Sequence, residues 1–232
     1  MGAQNTSSLY ANYAYRLRLN DEDTQRLSLG VGAGIIQYQV DGSKLSATDP
    51  LDPTVAAGTE SKITPDFRVG VYYTTPSVYI GASVLNLLPT IGINNTTAII
   101  QQARHLYLTG GVLIPLSSAI DLKPSIMFKE DFRAPTSVDL TTYLLFNKKF
   151  WLGASYNTGV VIWNKTNQQT GLDKGNTEAG IVQLSLSDHF RFGYSYDFTT
   201  SKFTGYQGAS HEVSLSLGFG SKQPRVLSPR YF

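Results

Sequence analysis

Three histidines, His105, His189 and His211, are the only imidazoles in this 232-residue chain, and cysteine is absent. Without thiols, disulfide frameworks, thiolate nucleophiles and Cys-ligated zinc or iron–sulfur sites are excluded. None of the histidines stands at metal-ligand spacing from another. Gly30-Val31-Gly32-Ala33-Gly34 begins like a phosphate-cradling loop, but Ile35 stands where Gly-x-Gly-x-x-Gly needs its third glycine. Serines and aspartates are plentiful, yet no Gly-x-Ser-x-Gly nucleophile elbow would present one. No catalytic residue, metal or cofactor is therefore expected. The amino terminus fits Met-Gly-x-x-x-Thr, and Asn5-Thr6-Ser7, Asn94-Asn95-Thr96 and Asn164-Lys165-Thr166 fit glycosylation sequons. Both patterns are too frequent by chance to carry an argument.

The charged side chains are more informative through their placement. Only 16% of residues are charged, against about 25% in ordinary soluble domains, while 41% are hydrophobic and 12% aromatic. A net charge of +2 without any Lys/Arg run gives no footprint for nucleic acid. Arg16, Arg18, Arg26, Asp66, Arg68, Asp121, Lys123, Lys129, Asp139, Arg191, Asp197 and Glu212 all fall on one parity of an alternating pattern. The other parity is apolar and uncharged. Basic and acidic members intermix, so no single-sign ring declares an ion preference.

Eleven segments carry that alternation, and a period of two argues for strands. They lie at 9–19, 27–35, 66–73, 78–84, 105–114, 120–129, 138–146, 150–156, 180–186, 190–198 and 212–219. No helix is expected, and no apolar run approaches the roughly 18 residues of a membrane helix. The segments are joined by short and longer connections in strict alternation, as in a meander whose two ends face different surroundings. Membrane barrels do this, with tight periplasmic turns and longer outer loops. A soluble β-sandwich alternates apolar-in and polar-out as well, so parity alone leaves both architectures open. Tyr73, Tyr79, Phe146, Phe150, Trp151, Phe190 and Phe219 cluster at the short-turn end, as an interfacial aromatic girdle would. Pro124 lies inside the 120–129 run and cannot donate to a ladder, so a bulge or kink is expected there.

Strand parity yields two further expectations. The last strand ends at the short-turn side, whereas an odd count of eleven starts the first strand on the outer side. Single-chain bacterial barrels have even strand numbers, so an N-terminal portion is expected to precede Met1, which also lacks a secretion signal. The expected organisation is a barrel over residues 1–219 and a periplasmic tail over 220–232. Within that tail, Ser228, Pro229, Arg230, Tyr231 and Phe232 combine a stiffening proline, a cation and two aromatics, the composition of a docking segment.

The segments also carry a resemblance. Tyr13-Ala14-Tyr15-Arg16, Ile36-Gln37-Tyr38-Gln39-Val40-Asp41-Gly42, Pro65-Asp66-Phe67, Gly70-Val71-Tyr72-Tyr73 and Leu122-Lys123-Pro124-Ser125 are among them. Phe150-Trp151-Leu152-Gly153, Arg191-Phe192-Gly193-Tyr194-Ser195-Tyr196-Asp197, His211-Glu212 and Ser228-Pro229-Arg230-Tyr231-Phe232 complete the series. In order and spacing the chain resembles the PorP/SprF family of type IX secretion system outer-membrane proteins. The resemblance implies an all-β, antiparallel up-and-down transmembrane β-barrel, here the C-terminal eleven strands of a fourteen-stranded parent. It implies residence in the bacterial outer membrane among its lipids. It implies as partners the periplasmic and lipoprotein components of the secretion apparatus and large secreted adhesins, including those of gliding motility. The family brings no active site, so Arg16, Arg18, Arg68, Asp121, Lys123, Asp139, Arg191, Asp197 and Glu212 stand as candidate lumen-facing charges. A passive pore or small hydrophobic-molecule channel is the competing function.

Overall fold

A computed structural model describes residues 3–44, 58–88, 103–162, 176–187, 189–200 and 208–218. The chain forms β1 (Gln4–Arg18), β2 (Arg26–Asp41), β3 (Thr59–Thr74), β4 (Val78–Leu85), β5 (His105–Val112) and β6 (Ile114–Pro115). There follow β7 (Ile120–Glu130), β8 (Thr136–Phe146), β9 (Phe150–Val160), β10 (Thr177–Ser185), β11 (Phe190–Thr199) and β12 (Ser210–Leu217). Neighbouring strands pair antiparallel in one sheet ordered β1-β2-β3-β4-β5-β7-β8-β9-β10-β11-β12, with β6 also beside β7. This is the up-and-down meander of a β-barrel wall.

The twelfth element arises at Pro124. β5 pairs with β7 from Leu106↔Glu130 to Gly111↔Ser125, and β6 resumes at Ile114↔Leu122. The register is the same on both sides of the gap, so β5 and β6 are one strand interrupted opposite Pro124. Of the expected bulge or kink, a bulge is absent, because the register is unchanged; the missing proline N–H costs ladder pairing instead. On its other side Pro124 keeps step, facing Thr142 of β8. The expectation of eleven strands corresponds to the eleven positions of the sheet.

Three tight turns share one device. Thr75, Ser117 and Ser187 each accept, on the side-chain oxygen, the backbone N–H two and three residues on. Such hydroxyl turns pin hairpins without glycine. At residues 147–149, Asn147 and Lys148 adopt positive φ (50° and 56°), the geometry of a primed hairpin turn. The expected alternation of connection length holds along the chain: residues 19–25 are shorter than 42–58 after them, and even the compact turn at 131–135 is longer than 116–119 and 147–149 on either side of it. Asp131 explains that compact turn, since its Oδ1 accepts the N–H groups of Arg133 and Ala134 at 2.8 Å each.

The first three strands are longer than their apolar runs. β1 and β2 pair continuously from Gln4↔Val40 to Arg18↔Arg26, and β2 and β3 from Asp41↔Thr59 to Arg26↔Thr74. Hydrophobic alternation marks only the part beside the turns, Leu27 to Ile35 in β2. Beyond it the polarity inverts. The outward face carries Asn5, Ser7, Gln37 and Ser61, with Gln37 Nε2 donating to Ser61 Oγ at 2.8 Å. On the opposite face Ile36 and Val40 are buried. Nine residues of apolar face match the roughly 9–11 a tilted strand needs to cross bilayer hydrocarbon.

Exposure separates the two faces and decides between barrel and sandwich. Leu9 (72%), Val31 (56%), Ile80 (59%) and Val213 (63%) belong to the apolar face and are open to the surroundings. A sandwich buries that face against a second sheet; among the described residues there is one sheet. Asp66, Lys123, Leu145 and Trp151 on the polar face are buried instead. The sheet therefore turns its polar face inward. Among the described residues no helix is long and apolar enough to cross a membrane. Phe219 and the tail at 220–232, with the sequons at Asn94 and Asn164, lie outside the described residues.

Candidate functional site

The inward face is built in rows fixed by register. Near the outer end, Tyr10 of β1, Gly34 of β2 and Asp66 of β3 are partners in sequence across three strands. Gly34 is required there, because a Cβ would sit 2.3 Å from the Tyr10 ring. With no side chain between them, Tyr10 Oη donates to Asp66 Oδ2 at 2.8 Å. Arg68, one row down, lays its guanidinium 3.4 Å above the Tyr10 ring centroid and reaches Asp66 Oδ2 at 3.7 Å. Asp66 is fully buried. Thr64 Oγ1, Asp66 Oδ1 and Arg68 Nε are buried without a hydrogen-bond partner, and all three stand on the same face of β3.

The middle rows are thin-walled. Gly30 faces Gly70, which faces Ser83, and Ser125, Thr141 and Ser155 follow one another across β7, β8 and β9. Ser125 Oγ donates to the Thr141 carbonyl at 3.2 Å, and the Thr141 and Ser155 hydroxyls lie 3.0 Å apart. Toward the outer end, Lys129 Nζ meets Asp139 Oδ2 at 2.5 Å, while Asn157 Nδ2 donates to both Asp139 and Ser137. This pairing neutralises Asp139 locally.

At the turn end the face thickens. Lys123 Nζ stands 5.4 Å from the Trp151 ring centroid and 6.0 Å from that of Tyr79. Tyr143 meets Trp151 edge-on at 5.7 Å, and Leu145 beside them is fully buried. A cation over ring faces in a shielded position is attracted to the ring quadrupoles. Tyr79 and Trp151 therefore turn inward, not to the girdle expected of them; Tyr73, Phe146, Phe150 and Phe190 keep the outward parity at that end. The opposite end of the outward face has its own aromatic patch. Tyr196 and Phe198 stack at 5.9 Å, and His211 lies 4.9 Å from Tyr196 with its Nδ1 2.8 Å from Tyr194 Oη.

The other candidate charges are spread along the same inward parity. Arg16 faces Ser28, Arg18 faces Arg26, Asp121 faces Leu145, and Arg191 lies between Ser185 and Ser216. Asp197 accepts from Ser210 Oγ at 3.3 Å, and Glu212 faces Ser195. The structure brings Arg68 and Lys123 into clusters with partners and joins Asp139 to Lys129; it does not gather the nine charges into one site. Arg18 instead reaches the first turn, where Asp23 Oδ2 lies 3.6 Å away and Arg26 donates from Nε to Asp23 Oδ1 and from Nη2 to Asp23 Oδ2. Those hydrogen bonds from Arg26, with the Arg18 charge behind them, hold the Asp23 carboxyl below its ordinary range. Sequence reasoning missed Tyr10, Tyr79, Tyr143 and Trp151 as inward residues. The available signal was a tyrosine opposite a glycine on the neighbouring strand, legible only once register is known.

What the arrangement offers is a two-sided wall: hydrocarbon-compatible outside, and hydroxyl, glycine and paired charge inside. Residues 1–217 match the family described as type IX secretion system membrane protein PorP/SprF. No curated protein matches the chain.

Proposed function

The chain belongs to the PorP/SprF family of type IX secretion system membrane proteins, and from that premise we propose that it is an outer-membrane β-barrel component supporting export or surface attachment of large secreted proteins such as adhesins. The observation that carries the location is the exposed apolar face with a buried polar face behind it. In hydrocarbon an unpaired charge costs several kcal/mol, whereas a wetted lumen accepts Arg, Asp and Lys. Support for an adaptor role is the family together with inward charges divided among separate clusters. Its partners are the periplasmic and lipoprotein components of the apparatus and the cargo adhesin, and it performs no catalysis. The tail at 228–232 is proposed as a segment that docks either into the periplasmic mouth of the barrel or onto a periplasmic component of the apparatus.

One observation favours the second reading, a passive pore. The middle of the inward face is Gly, Ser and Thr, which leaves space where larger side chains would fill it. Planar-bilayer conductance of the full-length protein, beside surface display of the adhesin in a deletion strain, separates the two. Lost display with no steady current is the expected result. Large steady currents with normal display would overturn the adaptor role.

A further inference from the structure

The outward face is not uniformly filled. On β4, β5 and β7 one row reads Ile80, Gly110, Ile126, and on β3, β4 and β5 the next reads Val71, Ala82, Leu108. The two smallest residues, Ala82 and Gly110, stand diagonally adjacent with bulky neighbours on either side. They leave a groove of about 460 Å³, within the roughly 300–1,000 Å³ of small-ligand pockets.

Gly110 is not a backbone necessity. Its φ is not in the left-handed region, and a Cβ there would meet nothing nearer than 3.6 Å. By contrast Gly111, its inward neighbour, is forced by Tyr79, whose ring carbons would lie 2.6 Å from a Cβ. A glycine with room for a side chain, in a face of exposed Val, Leu and Ile, keeps a space open. The walls present hydrocarbon, so the complementary ligand is hydrocarbon. The groove is also continuous with the apolar band, at the level of Val71 and Tyr73, next to the turn ending β3.

We propose that this groove seats one acyl chain of a phospholipid from the bilayer leaflet nearest the tight turns. The proposal rests on the membrane-barrel reading of the outward face.

The test is native mass spectrometry of the full-length protein purified in detergent, with dioleoyl phosphatidylethanolamine added as the probe. Gly110→Leu and Ala82→Leu fill the groove from outside the sheet. Gly180→Leu is the control, since Gly180 faces outward on β10 with open space around it. Heat-modifiable gel mobility reports the folded barrel in every sample. Wild type and Gly180→Leu should each retain one phospholipid per chain, and either groove variant should reduce retention at least fivefold. Equal retention in all four proteins overturns the proposal, as does a groove occupied by the acyl chain of a lipoprotein instead. Absence of heat-modifiable mobility in the wild type would instead refute the barrel reading itself.

Discussion

Tyr143 lies across Gly153, its partner on the neighbouring strand, so closely that a Cβ at 153 would stand 2.4 Å from two ring carbons. The same relation recurs on the inward face at Tyr10 with Gly34, Tyr72 with Gly81 and Tyr79 with Gly111. A ring over a glycine covers the exposed backbone of the next strand and keeps the wall thin. It also fixes the ring, and through Tyr143 the edge-on contact to Trp151.

Gly153→Ala should therefore displace Tyr143 and cost about 1–3 kcal/mol, the range for overpacking a closely fitted site. The measurement is the urea midpoint for loss of the folded gel band. Gly180→Ala, where a Cβ meets nothing within 4 Å, should change stability by less than about 0.5 kcal/mol. Equal effects at the two glycines would refute the ring-over-glycine account.

A second prediction concerns Tyr10. Removing its hydroxyl strips fully buried Asp66 of a hydrogen bond at 2.8 Å. Tyr10→Phe should cost about 1–3 kcal/mol, the penalty for leaving a buried acceptor less satisfied. Tyr13→Phe, on the exposed outward face of the same strand, should be near neutral by the same urea assay.

Charge should be tolerated by face. Val182→Arg places a cation on the outward face of β10 and should cost about 2–4 kcal/mol near the bilayer midplane. Gln183→Arg, one residue along and inward, should assemble as wild type. Membrane-integrated yield measures both, and equal yields would contradict the assignment of faces.

The first turn should respond to acid. The folded Asp23 pKa is depressed, first by hydrogen bonds from Arg26, so its contribution is present above the unfolded value of about 3.9. It is lost as pH falls through the lower folded value. Hydrogen exchange at Asp23 N–H, which donates to the Asn20 carbonyl, should stay unchanged from pH 7 to about 5 and accelerate below about 4, relative to the intrinsic exchange rate. Asp23→Asn should abolish that pH dependence.

The meander was legible because its eleven arms alternate apolar and polar side chains for long enough to show a period of two. The outer halves of β1 and β3 were not, since Asn5, Thr6, Ser7, Ser61 and Lys62 lie past the apolar band and alternation ends there. Pro124 read as a bulge or kink because sequence shows the lost donor but not which neighbour loses it; the loss falls between β5 and β6 without a register shift. Arg68 and Lys123 were placed on the polar face by parity. Their rings were not, because Tyr10, Tyr79 and Trp151 reach them across strands whose register only the structure supplies.

Under the proposed function the two faces of one sheet meet two different media, lipid outside and water inside. The chain has no native cysteine, so single cysteines along β10 can be labelled without background. In whole outer membranes, Cys at Ile181 and Gln183 should react with a charged, water-soluble maleimide, while Cys at Val182 and Leu184 should react only with a lipid-soluble one. Reaction of all four with the water-soluble reagent, or the reverse alternation, would contradict the claim.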